Sequence, residues 1–172
     1  QTSGLHAVQE PGCNIRVREA TALGPKKAKA AQIRLSNALG AVTLADLRAQ
    51  GITLPEAFAG EREVGGGLRS VRADVSEMTT RDGLTLAIEI KPVHLAVGRA
   101  IWNRFGDVRT FAVNLHLKFQ FAVVGGILTL PTTERIKSGN DDDWKSTTHL
   151  VTRAIGRFMR AGGRATEGDA SH

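Results

Sequence analysis

Hydrophobic and polar positions alternate most cleanly in LTLAIEIK, where Leu84, Leu86, Ile88 and Ile90 fall on one face and Thr85, Ala87, Glu89 and Lys91 on the other. A period of two is that of a β-strand, whose successive side chains point to opposite sides. Upstream, LRSVRADVSEM sets Leu68, Ser70 and Arg72 against Arg69, Val71, Ala73 and Val75, a second strand with one apolar face. Arg81, Asp82 and Gly83 between them are turn-forming residues, so the pattern predicts an antiparallel hairpin.

Helical spacing takes over on both sides of this hairpin. Residues 25–39, PKKAKAAQIRLSNAL, begin with a proline suited to a first helical position and place Lys26, Lys27 and Lys29 at a solvated start. Thr43 is placed to cap a second short helix, TLADLRAQ, which Gly51 ends by taking a left-handed conformation. Residues 52–67 then read as a loop that closes in Gly65, Gly66 and Gly67, a hinge or linker. After the hairpin, Val97, Ile101 and Phe105 recur at helical intervals.

The next segment reads two ways. Phe111, Val113, Leu115, Leu117, Phe119, Phe121 and Val123 alternate as a strand does, yet Val108, Phe111, Ala112, Leu115 and Phe119 also form a helical stripe. FAVVGGILTLP contains a buried strand stopped by Pro131, and residues 132–145 carry the polar signature of a loop. The last periodic stretch, STTHLVTRAIGRFMRAGG, predicts a helix ended by Gly162 and Gly163. It sets Arg153, Arg157, Arg160 and Arg164 within about 60° of one another, opposite Val151, Ile155 and Phe158.

With 172 residues, 41% of them hydrophobic and 23% charged, the chain suits a single globular domain spanning 1–172, possibly part of a longer chain because it starts at Gln1. The one cysteine, Cys13, excludes an internal disulfide and a cysteine-based zinc site. No apolar run approaches the roughly 18 residues of a membrane span and no signal-peptide plan opens the chain, so a cytoplasmic protein with no membrane association is expected. A net charge of +6 favours a polyanionic partner. The arginine stripe is the best candidate for phosphate contact, since no acidic residue occurs from Lys145 to Thr166; Arg104 and Arg109 are further candidates, as are Lys26 and Lys27.

Three residues carry candidate chemistry. Glu89 and Lys91 share a strand face, and the hairpin brings Asp74 towards them. Two carboxylates make a hard-oxygen cradle suited to magnesium, and an acid in an apolar strand is costly to bury without a partner or a metal. Other polar residues are weaker candidates: His94, Asn114, His116 and His149 near a metal or phosphate, and Glu61 and Glu63 as extra carboxylates. No phosphate loop, HExxH motif or GxSxG elbow is present.

Asp74, then 14 residues, then Glu89-Ile90-Lys91 resembles the motif of the PD-(D/E)xK superfamily of restriction-endonuclease-like nucleases, with Ala73 where its usual proline stands. The resemblance covers about residues 68–131. It implies an α/β fold with a restriction-endonuclease-like core, a central mixed β-sheet flanked by helices. By its order a helix precedes the hairpin and a helix then a strand follow it, which favours helix up to about Phe119 over the strand reading. It also implies Asp74, Glu89 and Lys91 as catalytic residues, with Mg2+ (or Mn2+) held by Asp74, Glu89 and the carbonyl of Ile90, and phosphodiester hydrolysis of double-stranded DNA. A homodimeric type II restriction endonuclease in a prokaryotic cytoplasm is the leading expectation. A repair nuclease, a junction resolvase and a non-catalytic DNA-binding or assembly module of the same fold are the alternatives.

Overall fold

The computed structural model describes residues 25–93, 96–135 and 144–161. The expectations for Cys13, His94, Gly162, Gly163 and Arg164, and for the loop residues 136–143, fall outside these. Helix α1 (Pro25–Ala49) is followed by strands β1 (Phe58–Gly65), β2 (Ser70–Thr79) and β3 (Gly83–Pro92), helix α2 (Val97–His116) and strand β4 (Val123–Thr129). A short pair, β5 (Thr133–Arg135) and β6 (Trp144–Ser146), precedes helix α3 (Thr148–Ala161).

The four long strands form one mixed sheet in the order β1-β2-β3-β4. β1, β2 and β3 are antiparallel neighbours, whereas β4 runs parallel to β3. A parallel pair needs a long crossover, which α2 provides. The sheet is covered on both faces. Leu44 of α1 packs with Leu86, Ile88 and Ile90, and Phe111 and Leu115 of α2 pack with Ala87, so alternate residues of β3 serve opposite cores. This is the α/β class with a mixed sheet flanked by helices.

Several local expectations are corrected. The predicted pair of helices at residues 25–39 and 43–50 is one continuous helix, because Ala31, Leu35, Gly40 and Leu44 form an unbroken buried stripe. Gly40 is not a break but a point of close approach: a Cβ there would lie 3.4 Å from the carbonyl oxygen of Asp74. Gly51 does take a left-handed φ of 80°. The N–H of Ile52 donates to the carbonyl of Leu47 and that of Gly51 to Arg48, which closes the helix in a Schellman motif.

Residues 58–65 are a strand rather than loop. Their pattern hides this because β1 is an edge strand in which only Val64 is deeply buried, and a bulge between Ala59 and Arg62 breaks its alternation. The two edges of the sheet differ: β1 carries Glu61, Arg62 and Glu63, while β4, VVGGILT, carries no charge. The glycines at 65–67 form neither hinge nor linker. Side chains at Gly66 and Gly67 would collide with Asn114 and Leu117. The alternation through residues 111–123 is helix as far as His116, where Phe111, Asn114 and Leu115 face inward, leaving Val113 and Leu117 exposed. The polar segment at 132–145 contains β5 and begins β6.

Asn114 is a structural residue. It is 1% exposed, its Oδ1 accepts the N–H groups of Leu68 (2.7 Å) and Arg69 (3.2 Å), and its Nδ2 donates to the carbonyl of Arg69 (2.8 Å). It thereby satisfies the turn between β1 and β2 from the end of α2. Asn114→Ala strands these groups and is expected to cost about 2 kcal/mol, a fall in melting temperature of about 4–8 °C. Thermal unfolding followed by circular dichroism measures it, and an unchanged midpoint would refute the pinning role.

Candidate active site

Asp74 sits where β2 changes faces. Val71 and Ala73 pack on the α2 side of the sheet, whereas Val75 packs with Ile88 and Ile90 on the α1 side. Pairing of β2 with β3 extends as far as Val75 opposite Ile88. Beyond that point the Asp74 side chain takes over as acceptor: its Oδ2 receives the N–H of Ile90 at 2.6 Å, and its Oδ1 receives the hydroxyl of Ser36, on α1, at 3.2 Å. In a strand the N–H and C=O of one residue leave on the same side, so the carbonyl of Ile90 is directed to the same gap.

Glu89 and Lys91 lie one step away on β3. Glu89 is 8% exposed, and its Oε1 accepts from Lys91 Nζ at 2.6 Å. The other oxygen, Oε2, is buried and has no hydrogen-bond partner. Gly126 of β4 stands beside Glu89 in the parallel ladder, and a side chain there would run into Val108 of α2, so this flank of the carboxylate is kept free of any bulkier residue. Burial pushes the Glu89 carboxyl above its ordinary value. The Lys91 ammonium opposes this, and the negative charges of Asp107 and Asp74 add to it.

Asp74, Glu89, Ile90 and Lys91 are therefore brought to one end of β3, as the spacing predicts. Nothing in the sequence pattern singles out Ser36 or Asp107. The first is an ordinary polar residue of an amphipathic helix, and the second stands in a helix with a neighbouring cation, Arg104, that pairs with it at 2.9 Å. Arg104 is half-exposed in that pair, and Arg109 is exposed on α2. Glu61 pairs with Arg72 at 3.1 Å, and Glu63 lies exposed on the same edge strand, so neither serves as an extra carboxylate. His116 bonds the carbonyl of Ala122 at 3.1 Å, and His149 is exposed.

Among the described residues no group of three or more His, Cys, Asp or Glu side chains could together hold a metal ion. A cation at this end of β3 would have two carboxylates and would need its remaining ligands from the Ile90 carbonyl and water. That donor set is all oxygen, and Glu89 Oε2 lacks any other partner, so the residues present fit a hard divalent ion such as magnesium.

The arginine stripe is placed otherwise than expected. α3 meets α2 through Ala154, Phe158 and Leu150: the rings of Phe158 and Phe105 are 4.9 Å apart edge to face, and Leu150 Cδ1 is 3.9 Å from where a Cβ on Gly98 would stand. Ile155, expected to pack, is 39% exposed because it lies 100° round the helix from Ala154. Arg153 and Arg157 lie over the indole of Trp102, and Arg160 is exposed. Trp102 is the residue the sequence pattern passes over, since a tryptophan in an amphipathic helix reads as core.

No helix among the described residues is long and apolar enough to cross a membrane. No family model, curated protein or solved structure matches the chain.

The raised pKa of Glu89 has a thermodynamic consequence. Its contribution to stability is present at low pH and is lost as pH rises through the elevated folded value, because the charged form is the one that burial disfavours. In chelator, Glu89→Gln is expected to raise the melting temperature at about pH 8, with the gain shrinking towards about pH 5. A lower melting temperature for the glutamine variant at the higher pH would mean that the Lys91 pair outweighs the burial.

Proposed function

We propose that the chain is a metal-dependent endonuclease of the PD-(D/E)xK kind that hydrolyses phosphodiester bonds of duplex DNA, with Asp74, Glu89 and Lys91 as its catalytic residues. The observation that carries the reading is the buried, partnerless Oε2 of Glu89, set beside Lys91 and next to the Asp74-Ile90 contact. Support also comes from the order of elements: a helix before the β2-β3 hairpin, and a helix then a parallel strand after it, is the order that the motif implies, with β1 as an additional edge strand.

In this reading Asp74, Glu89 and the Ile90 carbonyl hold Mg2+ or Mn2+. The bound ion supplies Lewis acidity at the scissile phosphate and lowers the pKa of a coordinated water. Ser36 and the Ile90 N–H fix the Asp74 carboxylate before any substrate arrives. Lys91, at 27% side-chain exposure, is tethered by Glu89 yet reachable from solvent, so its ammonium can orient an attacking water and offset negative charge on the phosphate. The exposed arginines of α3 supply phosphate contact. A homodimer, as in type II restriction endonucleases, would present one such site to each strand of a duplex.

One observation favours a second reading, a non-catalytic DNA-binding module of the same fold: Asp74 already accepts two hydrogen bonds and Glu89 one from Lys91. Metal decides between them. Magnesium or manganese is expected to raise the melting temperature of the unaltered chain and not that of Glu89→Gln. Incubation with plasmid DNA is expected to give magnesium-dependent cleavage that Asp74→Ala, Glu89→Ala or Lys91→Ala each lowers by about 100-fold or more while the protein stays folded. Cleavage surviving exhaustive chelation, or full activity in folded Glu89→Ala, would refute the assignment; metal-blind melting with no cleavage would leave the binding module.

A further inference from the structure

Two guanidinium groups share one aromatic ring. Arg157 lies 4.1 Å and Arg153 5.3 Å from the centroid of the Trp102 indole. They stand four residues apart on α3, a spacing at which like charges repel, and α3 contains no acidic residue. Among the described residues no carboxylate pairs with either. The indole's electron-rich face holds both cations in place without neutralising them. An anion is the missing complement.

An open groove of about 600 Å³ runs over the outward side of α2, lined by Trp102, Asn103, Arg104, Gly106, Asp107 and Thr110 among others. Gly106 leaves its floor bare, since a Cβ there would meet nothing within 4 Å. Asp107, paired with Arg104 at 2.9 Å, and Thr110 line it further along the helix. The groove thus continues the surface of the Trp102 ring along α2.

We propose that Trp102 with Arg153 and Arg157 is a clamp for an unpaired nucleic-acid strand, so that the chain prefers single-stranded over duplex DNA at this face. Free arginines along a helix suffice for the regular backbone of a duplex. An aromatic ring among them adds what only an unpaired base can use, a face to stack on. A nucleotide entering the stack puts its base on the indole in place of one guanidinium, and that guanidinium turns to the adjoining phosphate. The clamp does not rest on the nuclease reading.

The test is made in chelator, so that binding is read without cleavage. Fluorescently labelled oligo-dT and a duplex of equal length are titrated against the unaltered chain and Trp102→Leu. Loss of the ring is expected to weaken oligo-dT binding about tenfold or more and duplex binding less than about twofold. Replacing Arg157 by Gln is expected to lower the slope of log affinity against log salt for oligo-dT by about 0.7. Because Trp102→Leu removes a half-buried ring and can unfold the protein, a second measurement keeps Trp102. With Trp144→Phe, Trp102 is the remaining tryptophan of the two in the chain, and its emission is expected to be quenched by oligo-dT and not by duplex. Equal loss for both DNAs, no loss for either, or unquenched emission would overturn the clamp. A chain that passes these tests and never cuts DNA loses only the nuclease reading, and one that cuts duplex DNA and fails them loses only the clamp.

Discussion

The N–H of Ile90 has to be given an acceptor at the point where β2 stops pairing with β3, and much of the rest of the site follows from the answer. A buried donor left empty would cost about 1–3 kcal/mol. The Asp74 carboxylate fills the place of the missing backbone carbonyl at 2.6 Å, and Ser36 holds its other oxygen. This ties together α1, β2 and β3 where Gly40 of the helix faces the Asp74 carbonyl. The opening of the ladder also turns the Ile90 carbonyl into the gap, beside the strand positions that carry Glu89 and Lys91.

Around this point the protein spends stability on polarity. Glu89 is held in an apolar wall with one oxygen engaged and one idle, opposite a glycine that no larger residue can replace without displacing Val108. Ser76 and Thr129 also keep buried hydroxyl oxygens with no partner. Elsewhere among the described residues buried side chains close their own polar contacts: Asn114 satisfies a whole turn. At the start of α2, where Ala96 has a left-handed φ of 49° and offers no side-chain cap, Glu134 of β5 accepts the N–H of Val97 at 2.9 Å. The second Glu134 oxygen meets Lys145 of β6 at 3.6 Å, so the small sheet is fastened to the helix that overlies Glu89.

What could be read from the chain follows how strongly each segment's pattern is enforced by burial. β3 is legible because it is central and each of its faces has its own core, and the Asp74, Glu89, Lys91 set is legible because it is positioned by that strand and the turn at Gly83. β1 is not, since an edge strand with a bulge and three consecutive charges has neither period nor apolar face. The segment at 109–116 alternates as well as it spirals, and the choice is made by the demand for a crossover between parallel strands, a tertiary fact that no window of the sequence contains. The arginine stripe is visible as charge, but its seat on Trp102 depends on α3 packing against α2 through Ala154 and Phe158. Ile155, read as core from the same pattern, is left outside because it lies about 100° round the helix from the contact line through Ala154.

The two margins of the sheet carry opposite safeguards. On β1 a bulge and the run Glu61, Arg62, Glu63 discourage any strand from another molecule from adding itself to the ladder. On β4 there is no charge, proline or bulge, its outer side pairs with no strand among the described residues, and Phe121 just before it is almost fully exposed. Crowding therefore acts on the molecule from one side: self-association of the folded chain at high concentration is steered towards the β4 margin, and a single lysine facing outward there would improve solubility more than the same charge placed anywhere on β1.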